Sequence, residues 1–306
     1  MIMTDVIANE PDSPIPASRK DPIRFMPTKR RPLPAWLRDP FLCFAVIILL
    51  GIISIAIAAN LIYPTDPLDM VAQPLLWPGQ DMDYPLGTDA LGRDVAAGIV
   101  HGARVSLLVG FFAALIGLVI GTTIGALAGY FGGIVDNVLV RLTELFQTIP
   151  PTLLVIVILA IGDPSVFLIV LSIGIASWPM IARLARSQFM ALREADFVMA
   201  SRSLGYGTSR IIVREILPNA LPTIVVATSV LVANGILAEA GLSFLNLGDP
   251  NRVSWGSLIG NGRSMLRDEW YLSALPGVAI VLTVLSINII GDRLTDILNP
   301  RSGSTR

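Results

Sequence analysis

The feature that most constrains this chain is the length of its apolar runs. Stretches near residues 41–63, 105–129, 136–160, 165–185, 220–240 and 272–291 are mostly apolar. A bilayer core of about 30 Å needs a helix of about 20 apolar residues to cross it. In lipid the backbone must satisfy its own hydrogen bonds, so runs of this length fold as helices. The expected fold class is an all-α membrane protein with six transmembrane helices. Composition agrees, with 53% hydrophobic and only 15% charged residues, against about 25% charged in soluble domains.

Arginine and lysine orient these spans, because cytoplasmic loops hold the excess. Seven precede residue 40, Arg141 follows the second span, six lie from Arg183 to Arg214 and three follow residue 292. The opposite side holds Arg93, Arg104, Arg252, Arg263 and Arg267. Both termini are therefore expected on the cytoplasmic side, with the loops at 64–104 and 241–271 outside. The first 40 residues are polar and proline-rich, without a short apolar region and cleavage site, and read as a tail before an uncleaved anchor. The expected division is a tail at 1–38, a first helix and outer loop at 39–103, a transmembrane core at 104–297 and a short tail at 298–306. The outer loop carries Asp66, Asp69, Asp81, Asp83, Asp89 and Asp94, whose spacing does not match an EF-hand loop and reads as solvated surface.

Several chemistries are set aside at this stage. Cys43 is the one cysteine and His101 the one histidine, so neither a disulfide within the chain nor a His-pair metal motif is expected. The lysines are Lys20 and Lys29, so the lysine of a phosphate-cradling G-x-x-x-x-G-K-[ST] loop is missing. No enzymatic activity, bound metal or resident cofactor is expected, and nothing points to nucleic acid.

Gly117, Gly121, Gly125 and Gly129 recur every four residues. That spacing puts them on one helix face and allows another helix to approach closely, whether from this chain or from a second subunit. The segment 196–219, "DFVMASRSLGYGTSRIIVREILPN", is polar by contrast, with Arg202, Arg210, Arg214, Asp196 and Glu215 between two apolar runs. Glu194 and Asp196 suit the start of a helix, where carboxylates meet the positive end of the dipole. Phe197, Ala200, Ser201 and Leu204 form a small-to-apolar stripe. Gly205 is placed to end that helix in the left-handed conformation. Thr208 or Ser209 is expected to cap a second short helix carrying Ile211, Ile212, Ile216 and Leu217, and Pro218 and Pro222 to bend the chain before the next span. A plain connector needs about two to eight residues, and the surplus favours a docking element for a soluble partner over a helix lying on lipid.

"ASRSLGYGTSRIIVREILPNALP" closely resembles the EAA loop of ABC-importer permeases, in the dipeptide/oligopeptide/nickel branch. "YPLGTDALGRDVAAGIVHGARVSLLVG" (84–110), "EAGLSFLNLGDPNRVSWGSLI" (239–259) and "GDRLTDILNP" (291–300) match the same branch in the same order. The single span ahead of the LGTD-x-LGRD loop is similar to the second permease, the DppC/OppC-like subunit. The resemblance implies the type I permease fold in a bacterial inner membrane, and a coupling loop at about 186–219 that fits a cleft on an ATPase. The family's E-A-A falls on Met199, Ala200 and Ser201, its glycine on Gly205, and its closing I-x-L-P on Glu215, Ile216, Leu217 and Pro218. Met199 and Glu215 depart from the pattern, so a contact made by the family's first glutamate is either lost or supplied by Glu194 or Asp196. Implied partners are a paralogous permease, two ATPase subunits carrying ATP and magnesium, an extracytoplasmic substrate-binding protein and membrane lipid.

Other candidates remain open from sequence. Arg141 and Glu144 are one helical turn apart and suit an ion pair beside Asp136. Glu239, a carboxylate near membrane depth, either lines the path, touches the binding protein or reaches water at the interface. Ser172, Ser177, Thr228, Ser229 and Asn234 either line a polar route or bond between helices. Trp255 and Trp270 are expected near the outer interface, and the resemblance implies that "SWGSLI" lies at the outer mouth as a gate or receptor contact. The function expected is a peptide-importing permease, with nickel chelates or another small solute as the alternative cargo. A self-contained secondary transporter is a further alternative, which would show paired intramembrane charges or an inverted repeat.

Overall fold

Helices account for every span, and the computed structural model describes residues 39–298. The expected tails lie outside the described residues, except that Leu298 ends the last helix. Helix α1 (Pro40–Ile62) begins under Asp39, whose carboxylate accepts from the Phe41 N–H. A long outer loop leads to α2 (Val95–Phe131), which starts ten residues before the expected apolar run. Asp94 accounts for that early start, since its side chain accepts from the Ala96 N–H as an N-cap.

The expected span at 136–160 is not one rod. It divides into α3 (Gly133–Thr148) and α4 (Pro151–Ile161), bent by 80°. Pro150 and Pro151 supply the reason, because proline cannot donate to the preceding turn and its ring excludes helical continuation. Helix α5 (Val166–Arg193) returns to the end of the bundle where α2 stops. There α6 (Asp196–Ser203) and α7 (Thr208–Arg210) form the polar elbow. The chain then runs through a π-helical turn at Ile211–Ile216 into α8 (Leu217–Phe244), giving a continuous rod from Thr208 to Phe244. Pro218 therefore does not bend the chain away from the span. The Leu217 N–H instead bonds five residues back to the Ile212 carbonyl, and the wider turn absorbs the proline that follows. At the far end, α9 (Trp255–Gly262), unexpected from sequence, precedes α10 (Tyr271–Leu298).

The glycine stripe settles how the bundle is built. A Cβ at Gly121 would lie 2.7 Å from both the Ile181 Cβ and the Trp178 carbonyl oxygen, and one at Gly129 2.6 Å from the Arg186 carbonyl oxygen. Gly117 faces the Ser177 hydroxyl in the same way. The stripe is thus buried within this chain, against α5, and not offered to a second subunit. Ile181, Ala185 and Phe189 of α5 then pack with Val198, Ile211, Ile216 and Ala220, which fixes the elbow to the α2–α5 pair.

At the outer end, Thr88 holds the 63–94 loop together. Its hydroxyl donates to the Gln73 carbonyl (2.6 Å) and accepts from the Leu76 N–H (3.0 Å). The Tyr271 hydroxyl, shared between the Leu76 and Thr88 carbonyls at 2.9 and 3.0 Å, ties this loop to α10. Asp66 and Asp69 are exposed, whereas Asp89 and Asp94 are half-buried and cap local backbone N–H groups. The LGTD-x-LGRD stretch is therefore a folded corner more than a solvated one. Burial pushes the Asp94 carboxyl above the usual range, although the Ala96 and Ala97 N–H groups pull it down.

Candidate functional site

The elbow is shaped by one glycine. The Gly205 N–H bonds the Arg202 carbonyl at 2.9 Å, and the Tyr206 N–H bonds the Ser201 carbonyl at 3.2 Å. Both are the bonds of a Schellman ending, whose C′ residue must be left-handed, and Gly205 has φ of 78°. Gly207, with no side-chain cap, begins the next helix, so the expected cap at Thr208 or Ser209 is not used.

Burial divides the elbow into two faces. Val198 and Ser201 turn inward onto the core, together with Ile211 and Ile216. Phe197, Met199, Ala200 and Leu204 turn outward, Leu204 being 71% exposed. The stripe expected from sequence is therefore the outer face, except for Ser201, whose hydroxyl bonds the Phe197 carbonyl on its own helix. Asp196, Arg210, Arg214 and Pro218 are exposed, and Glu215 and Leu217 are half-buried. The Arg210 guanidinium lies 3.8 Å from the Tyr206 ring centre, which holds it over the corner. Glu194 is engaged by Arg193 at 2.8 Å, and Asp196 is the unpaired carboxylate of the two among the described residues. An apolar, small-residue ridge framed by arginines is what the chain presents here.

A second feature is a cleft of about 640 Å³ bounded by α3, α4, α5 and α8. Ser177 and Asn234, both expected on a polar route, line it, together with Gln147, Thr152 and Arg183, which sequence reasoning missed. The remaining wall is mainly apolar and includes Phe146, Ile173 and Leu242. Ser172, Thr228 and Ser229 lie elsewhere and donate to carbonyls of their own helices. They satisfy themselves, as hydroxyls in apolar helices commonly do. The bend between α3 and α4 opens this cleft, so no run-length rule could have revealed it.

The third feature is a buried network that holds Glu239 and Trp255. Each is 1% exposed, so neither lines an open surface in this structure. Glu239 accepts hydrogen bonds from Ser106 (3.0 Å) on α2 and Ser243 (2.7 Å) on α8. The Trp255 N–H donates to the same Ser106 oxygen at 3.3 Å, and the indole N–H donates to the Ile99 carbonyl at 2.9 Å. The network joins α2, α8 and the start of α9. Trp270, by contrast, is 54% exposed, in keeping with an interfacial place. The ion pair expected between Arg141 and Glu144 does not form, both side chains being exposed. Asp136 pairs instead with Arg186 through two bonds, at 2.5 and 2.6 Å. Among the described residues no His, Cys, Asp and Glu cluster is fit to hold a metal ion.

Comparison with known proteins gives the family of the chain. Residues 121–304 match the family described as binding-protein-dependent transport system inner membrane component. The chain is 36% identical over 262 residues to the di/tripeptide transport system permease protein DppC of Pseudomonas aeruginosa (strain UCBPP-PA14), covering 84% of this chain and 86% of that one. It is 38% identical over 219 residues to a Brucella suis biovar 1 protein named as a peptide permease, covering 71% and 72%. Among solved structures, the methionine ABC transporter MetNI in an inward-facing conformation aligns with a TM-score of 0.55 at 21% identity, over 66% of this chain and 96% of that one. That likeness extends to the fold, which is the type I ABC-importer permease fold.

Proposed function

The chain belongs to the binding-protein-dependent transport system inner membrane components, and from that membership we propose that it is one permease subunit of an ATP-driven importer of di- and oligopeptides. It is a multi-pass membrane protein whose role is conformational. The similarity to a di/tripeptide permease over 84% of the chain is the observation that carries the peptide assignment.

In this reading both termini and the elbow face the cytoplasm, and the outward ridge of Met199, Ala200 and Leu204 seats in a cleft of an ATPase subunit. Arg210 and Arg214 flank the seat, and Asp196 is placed to supply the carboxylate contact that Met199 cannot make. ATP and magnesium bind the partner subunits. Because the elbow shares a core with α5 and continues into α8, its displacement moves both walls of the cleft. A ligand shifts a conformational equilibrium only through different affinity for the two states, and here ATP on the partners would be that ligand. The 640 Å³ cleft forms this chain's half of the path, a paralogous permease supplies the other, and an extracytoplasmic binding protein delivers cargo at the α9 end.

The test is reconstitution in liposomes of this chain with its second permease and ATPases, followed by uptake of labelled dipeptide with binding protein outside and ATP inside. Uptake that needs every component is expected. Dipeptide uptake by the chain alone, without ATP, would overturn the assignment in favour of a self-contained carrier.

A further inference from the structure

Three arginines of α5 near the elbow differ in what holds them. Arg186 is clamped by Asp136 and Arg193 by Glu194. Arg183 has no hydrogen bond or ion pair among the described residues, and it is the one ionisable side chain lining the cleft. Its side chain is exposed, and measured from Val166, where α5 starts, it lies about 26 Å along the helix at roughly 1.5 Å per residue, at the inner edge of a hydrocarbon layer about 30 Å thick. An unpaired guanidinium at the inner mouth of a mainly apolar cleft is placed to meet an anionic group of a ligand.

Resting on the reading above, we propose that Arg183 is a specificity-determining residue that receives carboxylate groups of the passing peptide, its C-terminus first. Ser177 lies about 9 Å further out on the same helix. That distance equals about three residues of extended chain. A short peptide with its carboxylate on the Arg183 guanidinium thus brings its amides level with Ser177, and Asn234 lines the facing wall on α8. Mainly apolar walls concentrate the field of the single charge, and a guanidinium matches a carboxylate with two parallel bonds. When the cleft opens to water the higher dielectric weakens the attraction, so the contact recruits without trapping.

The test compares alanyl-aspartate with alanyl-lysine in the reconstituted complete transporter. Their uptake ratio isolates the cleft from the binding protein, which is common to all variants. Arg183→Glu is expected to lower the aspartate-to-lysine ratio about tenfold, Arg183→Gln to lower it less, and Arg183→Lys to preserve it. An unchanged ratio in Arg183→Gln, with total uptake retained, would overturn the proposal and assign Arg183 to lipid headgroups. If Arg183→Glu fails to assemble, the Gln and Lys variants carry the comparison. Absence of ATP-dependent uptake of both dipeptides by the wild-type transporter would instead defeat the peptide assignment itself.

Discussion

At Gly205 and Glu239 two single residues decide local structure by opposite means. Gly205 is needed for its backbone alone, since a Cβ there meets nothing within 4 Å while φ is 78°. Gly205→Val should therefore cost about 1–2 kcal/mol from left-handed strain, with Gly205→Asn closer to wild type. Thermal unfolding in detergent checks the order, and equal melting of Val and wild type would refute it. Glu239 is needed for its side chain, which joins α8 to α2 through Ser106, the hydroxyl that also accepts from the Trp255 N–H of α9. Glu239→Ala should destabilise by about 2–3 kcal/mol, because a cavity and lost hydrogen bonds add, whereas Glu239→Gln retains the shape and loses less. The same melting series reads both.

Between elements, the α2–α5 contact is the tightest backbone approach, and it has no room for a branched side chain. Gly121→Val places atoms against Ile181 and the Trp178 carbonyl. Overpacking of this kind costs roughly 1–3 kcal/mol or more, so folded yield after detergent extraction should fall well below that of wild type. Gly51, with open space around it, is the control, and Gly51→Val should leave the yield unchanged. The Asp136–Arg186 pair joins α3 to α5 beside the elbow, its side chains 16% and 33% exposed. A double-mutant cycle with alanine at both positions should return a coupling of about 1 kcal/mol, above the usual surface pair because it is bidentate and partly screened from water. Additive single effects would show that the two helices are held by packing alone.

For the whole molecule, the continuous rod from Thr208 to Phe244 links opposite ends of the bundle. It starts at the exposed elbow and carries Glu239 near its other end, where α9 is attached. One helix therefore connects the elbow to the end that carries Glu239. Ala200→Arg should abolish capture of the ATPase subunits in a pull-down without changing thermal unfolding, since Ala200 is exposed and buried contacts are untouched. Undiminished capture would place the ATPase contact elsewhere on the surface.

Run-length and small-residue spacing settled much of this protein in advance, because both are local consequences of helix geometry. They located α1, α5, α8 and α10, the glycine corner at 205 and the face shared by Gly117, Gly121, Gly125 and Gly129. Only tertiary structure decided that this face meets α5, that Asp136 pairs with Arg186 in place of a pair one turn along, and that Glu239 is sealed among three helices. The reason is sequence separation. Ser106 and Glu239, or Asp136 and Arg186, lie far apart along the chain, and periodicity along one helix carries no record of which other helix it will touch. Tertiary structure likewise decided where the cleft opens, because the bend between α3 and α4 interrupts a run that hydropathy reads as continuous.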